Sequence, residues 1–386
     1  MDTISIVRPK HNARRALLLQ YFLMGFIFSS LLSRYPGIRE LYGMFIAELS
    51  FVPFSMSIGS LLAMPLCGFF LAKYGSKTLS AMGYVYMAMI PFLALMPNLM
   101  ALYFMSACYG MCVSMTDVSV NGNSIILENA YKRPIISMFH ALFYVGMCSG
   151  ALLSIAFISF EISVFLHFAM ISVFALCLFY YIRTFFLKET PSYETHKGGI
   201  KLLLPKGILL LIAFIALLGR IVEGSVSSWS TVYMKTVADF AENWAPMGLA
   251  IYSAFMSLGR FGGDMVRSRY RDSFILVGCC FVTMVGLFVM ISGEAFYFAF
   301  VGLFFAGIGM SCLVPIVYSL AGRQKGVSPG MGIAMVNTIS GTGFLFGPTV
   351  IGVIADAYGM RYSFMYVLSL VCVMAVLTLI YRSKEK

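Results

Sequence analysis

Asp117 and Asn121 stand four residues apart in an otherwise apolar stretch, so on a helix both side chains point the same way. A carboxylate in such a setting can take up and release a proton when partial desolvation raises its pKa. Two more ionisable pairs keep helical spacing: Arg220 with Glu223, and Arg260 with Asp264. A charge at mid-bilayer costs at least about 2.5–3.5 kcal/mol on insertion scales, so an intramembrane ion marks a cavity, a partner or a pathway. His140 adds a group that titrates near neutral pH. Each residue also has a plainer reading. Asp117 can be a structural acid bonded to a neighbouring helix, Arg220 and Glu223 a self-neutralising pair, and His140 a hydrogen-bonding group. Gln20, Tyr21, Trp229, Tyr252 and Asn337 complete the polar and aromatic candidates for binding a ring-shaped polar solute.

The elements that must position these groups follow from composition. Apolar residues make up 60% of the 386 residues and charged residues 11%, far from the soluble norm of about 45–50% and about 25%. A hydrocarbon core about 30 Å thick needs about 20 apolar residues per helix. Such runs lie near 15–33, 45–72, 78–96, 98–124, 135–159, 162–183, 207–234, 245–266, 273–291, 295–322, 329–355 and 361–381. The chain therefore reads as an all-α membrane protein of twelve spans, because lipid offers the backbone no other hydrogen-bonding partners. The first run follows Arg8, Lys10, Arg14 and Arg15 but lacks a small-residue cleavage site, and it reads as an uncleaved helix rather than a signal peptide.

Lysine and arginine positions set the expected orientation. With both termini in the cytoplasm, only Arg34, Arg39, Lys235 and Arg361 of the 27 fall on the far side. The formal net charge of +11 is then a topology signal and an attraction to anionic headgroups, not a nucleic-acid footprint. The nine cysteines all lie in predicted spans without a histidine-bearing spacing, so neither a metal nor another cofactor is expected.

The longest polar interruption runs from Lys188 to Lys206 and divides the spans six and six. It suggests domains at 1–186 and 207–386, joined by a cytoplasmic linker at 187–206. Shifting the chain by 197 residues aligns Gly110 with Gly307, Ser114 with Ser311, His140 with Asn337, Gly146 with Gly343 and Gly150 with Gly347. An even number of spans per half makes such a repeat parallel. Gly146-x-x-x-Gly150, Gly259-x-x-x-Gly263 and Gly343-x-x-x-Gly347 allow close helix approach, and are expected at sliding interfaces along the seam between halves.

Motifs give the pattern a family likeness. Gly68-Phe-Phe-Leu-Ala72-Lys73-Tyr-Gly75-Ser-Lys77, after the second span, resembles the Gly-x-x-x-Asp-Arg/Lys-x-Gly-x-Arg/Lys loop of the major facilitator superfamily, with Ala72 replacing the aspartate. Gly263-Asp264-x-x-Arg267 is a partial counterpart after the eighth span. The resemblance implies the twelve-helix major facilitator fold, and a cytoplasmic latch that here rests on Lys73, Arg260, Asp264 and Arg267. Gly25-Phe26 with Pro36, Asp117-x-x-x-Asn121, Glu223-Gly224 with Trp229-Ser230, and Gly347-Pro348 through Asp356, Gly359 and Arg361 resemble the fucose-permease-like branch and its bacterial relatives. Leu32 stands where the fucose-permease pattern has an aspartate.

The expectation is a multi-pass transporter of the bacterial inner membrane, monomeric, carrying a small polar and possibly sugar-like solute by alternating access and proton-coupled symport. Asp117, Glu223 and His140 are its proton-coupling candidates. Gln20, Tyr21, Asn121, His140, Trp229, Tyr252 and Asn337 are its substrate-binding candidates. The alternative is a proton-driven exporter of drugs or metabolites. No Walker loop supports ATP drive, and no His-Glu-x-x-His or nucleophile constellation supports an enzyme.

Overall fold

A computed structural model describes residues 7–132, 135–185, 205–324, 327 and 329–384. Among them there is no β-strand. The helices are α1 (Val7–Ser33), α2 (Tyr35–Leu41), α3 (Ile46–Met87), α4 (Leu99–Tyr131), α5 (Ile136–Ser159), α6 (Val164–Ile182) and α7 (Ile208–Thr236). After them come α8 (Met247–Arg267), α9 (Asp272–Ser292), α10 (Phe296–Ser311), α11 (Leu313–Gly322), α12 (Pro329–Gly341), α13 (Gly343–Tyr358) and α14 (Met360–Lys384). Among the described residues ten stretches are long and apolar enough to cross a membrane. The second arm of α3 and the more charged α8 bring the count to the twelve expected from sequence. The linker at 187–206 lies almost wholly outside the described residues.

Helix ends follow the local sequence. Asn98 caps α4 by accepting from the Ala101 amide at 2.9 Å, and Ser163 does the same for α6 with Leu166 at 3.3 Å. The Glu128 carboxylate takes the amides of Ile135 and Ile136 at 2.8 and 3.1 Å, a favourable place for negative charge at the start of α5. Between the second and third spans the helix is broken, and α3 is two helical arms that meet at one non-helical residue. That residue is Gly75, with φ 77°, a conformation glycine adopts without steric cost.

Two spans are broken. The tenth is interrupted at Cys312, between α10 and α11. Pro315 explains this, since its ring excludes the hydrogen bond to the carbonyl of Ser311 four residues back. The eleventh is interrupted at Thr342, flanked by Gly341 and Gly343, between α12 and α13.

The described residues form two compact units, 7–43 with 51–185, and Met44–Ser50 with 205–384. In the first, α1 packs on α4, α5 and α6. In the second, α7 packs on α8, α11, α12, α13 and α14, and α10 on α8 and α9. The 197-residue register is a register of packing. A Cβ at Gly146 would strike the Phe22 carbonyl of α1, and one at Gly343 the Leu217 carbonyl of α7. Likewise Gly110 lies against Met56 of α3, and Gly307 against Tyr252 of α8. The glycine pairs therefore serve close contacts inside a unit, not the sliding seam expected for them. Gly259 and Gly263 do the same, against Ser311 and Cys312. Large apolar side chains such as Phe104, Phe281 and Phe288 remain exposed, as a lipid-facing surface requires.

Candidate functional site

In the first unit the polar candidates converge on one tyrosine. Tyr21 of α1 is buried; its hydroxyl donates to Asn121 Oδ1 of α4 at 3.0 Å and lies 3.1 Å from Ser124 Oγ. With its carbonyl oxygen occupied, Asn121 uses Nδ2 to donate to Asp117, at 3.0 Å to Oδ1 and 2.9 Å to the backbone oxygen. Phe139 stacks on the Tyr21 ring at 5.5 Å, and His140 meets it edge-on at 5.2 Å. Asp117 is exposed, while Asn121 and His140 are half-buried. The result is a polarised chain, Tyr21 to Asn121 to Asp117, which ends on an accessible carboxylate.

The second unit builds a chain from Arg220 of α7. Its Nη2 donates to the Tyr318 hydroxyl of α11 at 3.4 Å, and Tyr318 donates to Asn337 Oδ1 of α12 at 2.8 Å. Ser340 Oγ lies 3.4 Å from the same hydroxyl. The guanidinium also sits over the Phe344 ring of α13, 5.4 Å from its centroid. Arg220 and Tyr318 are half-buried and Asn337 is exposed. Glu223, one turn along α7, lies 3.8 Å from Arg260 of α8, and both side chains are 6% exposed. Spacing alone made Arg220 the partner of Glu223 and Asp264 the partner of Arg260. The structure adds an ion pair between helices that no local rule gives.

Three candidates are buried inside their units. Gln20 is fully buried and donates to Ser80 Oγ of α3. Trp229 is fully buried, and its Nε1 donates to the Pro348 carbonyl at 2.9 Å, which ties α7 to α13. Tyr252 is fully buried on α8, against the glycine face of α10. Polarity drew attention to them, yet an amide or indole N–H buried among helices needs a partner there just as it does around a ligand.

The charges at the expected cytoplasmic end also regroup. Arg267 grips Asp272, at the start of α9, with two bonds of 3.0 and 3.2 Å, and reaches Ser319 at 3.0 Å. Arg323 joins the same aspartate at 3.3 Å and Ser319 at 2.7 Å. Among the described residues Asp272 is the acid of this cluster, which ties α8, α9 and α11. The Asp264 side chain lies outside the described residues. Lys73 is exposed, with its ammonium over Phe69 and Tyr74 at 5.6 and 5.1 Å. Arg260 pairs with Glu223.

Tyr318, Ser124 and Ser340 went unnoticed in the sequence. For Tyr318 a signal existed: 121 plus 197 is 318, so it occupies the repeat position of Asn121. The repeat thus faces position 121 toward 140, through Tyr21, and position 318 directly toward 337.

Known proteins share this architecture. A variant of the nucleoside transporter NupG superposes with a TM-score of 0.78 at 14% identity, over 97% of this chain and 99% of that one. The fucose:proton symporter FucP of E. coli gives 0.64 at 13%, over 95% and 98%; at such identities the likeness speaks for the fold. In sequence, an uncharacterized transporter of Yersinia pestis is 28% identical over 359 residues, 93% of each chain. The membrane protein MosC of Rhizobium meliloti is 25% identical over 93% of this chain and 88% of its own. The sequence model of the Major Facilitator Superfamily matches residues 17–328. With that match spanning most of the chain, and with the helical architecture described above, this protein belongs to the Major Facilitator Superfamily and is a secondary transporter, not an enzyme.

Proposed function

We propose that the protein is a proton-coupled symporter that moves a small polar solute across the bacterial inner membrane by alternating access. In this reading Asp117 carries the proton, both termini lie in the cytoplasm, and the monomer is the working unit. The observation that carries it is the chain from Tyr21 through Asn121 to the exposed carboxylate of Asp117. A proton arriving at Asp117 is felt on α1 through two hydrogen bonds. Glu223 is paired with Arg260 and serves as the second titratable group, between α7 and α8. His140 lies against Tyr21 as a substrate hydrogen-bonding group. The likeness in fold to FucP, named a fucose:proton symporter, supports this reading.

The test is solute accumulation in whole cells with and without a proton uncoupler. Symport predicts that the uncoupler abolishes accumulation. Accumulation that rises with the uncoupler contradicts symport and identifies an exporter.

A further inference from the structure

We propose that the end of the seam between α9 and α14, in the second unit, holds an anionic phospholipid, with Arg269, Arg271 and Arg382 around its phosphate. Charge is the first observation. Residues 261–275, 320–326 and 380–386 hold eight basic and three acidic residues, with Asp264 and Glu385 counted among the acids. Asp272 is already shared by Arg267 and Arg323. Arg269, Arg271 and Arg382 are exposed, and the ion pairs among the described residues use none of them. A guanidinium is planar and donates only, so it matches the oxygens of a phosphate in pairs.

Position selects a lipid over a soluble anion. Tyr270 and Phe274 are exposed and stack with ring centroids 5.8 Å apart, and the Arg382 guanidinium sits 5.6 Å over the Phe274 ring. Tyrosine favours the headgroup level of a bilayer, and an arginine stem laid along apolar surface carries its charge to that level. From here α9 and α14 run side by side into the span. Cys280 meets Thr378 at 3.8 Å, and Met284 meets Cys372 at 3.6 Å. Phe274 and Phe281 are exposed on α9, and Gly278 between them is exposed with open space where a Cβ would stand. Across the seam Leu379 of α14 is exposed as well. The surface therefore follows the order of a phospholipid, with cations at the phosphate and then an apolar groove for a chain. Basic pockets between transmembrane helices hold acidic headgroups in this way.

Native mass spectrometry of the purified full-length protein in detergent tests the site. The protein is titrated with phosphatidylglycerol, or with phosphatidylethanolamine of the same acyl chains, and the affinity for the first bound lipid is read. Phosphatidylglycerol is expected to bind more tightly. One arginine near a headgroup is worth about fivefold, so Arg382→Gln is expected to weaken phosphatidylglycerol by that factor. The combined Arg269→Gln, Arg271→Gln and Arg382→Gln variant is expected to weaken it by about 100-fold; the single variant decides the matter where the triple one fails to fold. Inorganic phosphate and glycerol 3-phosphate, at constant ionic strength, are expected not to displace the lipid. Arg183→Gln is the control, because Arg183 is an exposed arginine of the first unit that also lies over a ring, 4.0 Å from Tyr180. Equal affinity for the two lipids, a triple variant that binds as wild type does, or an equal loss from Arg183→Gln would each overturn the site. Displacement by inorganic phosphate would overturn the lipid as its occupant. No flux is measured, so the outcome is independent of the symport reading.

Discussion

Glu223 and Arg260 are the ion pair on which the second unit has most to lose. Both are 6% exposed at 3.8 Å separation, and a buried charge deprived of its partner costs about 3–5 kcal/mol. Arg260→Ala is therefore expected to lower the thermal midpoint sharply, or to leave no monodisperse protein. Glu223→Leu combined with Arg260→Leu recovers most of that loss, since an apolar pair of similar volume is often neutral; a double variant as unstable as the single one contradicts the pairing. What could be read from sequence here was the local part. Asp117 and Asn121 are four apart on one helix, and their bond is the one their spacing implies. Glu223 reaches across to another helix, and helical periodicity holds no information about which face of α8 it meets. Gln20 and Trp229 were ambiguous in sequence for a related reason. A polar atom in an apolar run signals a need for a partner, but not whether that partner is a solute, Ser80 or the Pro348 carbonyl.

Helix contacts obey the repeat more faithfully than the polar groups do. Gly146 meets α1 and Gly343 meets α7, each at a backbone carbonyl, so an added methyl must push two helices apart. Overpacking of this kind costs about 1–3 kcal/mol. Gly146→Ala and Gly343→Ala are expected to lower the thermal midpoint, while Gly278→Ala, where a Cβ meets nothing within 4 Å, is expected to leave it unchanged or raise it. Equal midpoints for all three would show that the close approaches do not bear on stability. The glycines were legible in sequence because small residues four apart have one main use in a membrane helix. Which helix they face was not, and the expected seam proved to be an internal contact. The breaks at Cys312 and Thr342 separate α11 and α12, which carry Tyr318 and Asn337, from the rest of their spans. Irregular backbone in transporters gathers at binding sites, and Pro315 was the written sign of one such break.

Across the whole molecule, scaffold and chemistry follow different rules. The fold was legible because composition, span length and charge placement act on every helix at once, and a twelve-span bundle satisfies all three. The chemistry was legible only in part, because it departs from the repeat. Asp117 has Val314 at its repeat position and Arg220 has Leu23, so the repeat does not carry these charged groups from one unit to the other. The direct test uses reconstituted protein and compares accumulation driven by an imposed proton gradient with solute exchange at equilibrium, in wild type and Asp117→Asn. Proton coupling through Asp117 predicts that the variant exchanges solute but no longer accumulates it. Accumulation at the wild-type level in Asp117→Asn would contradict the account.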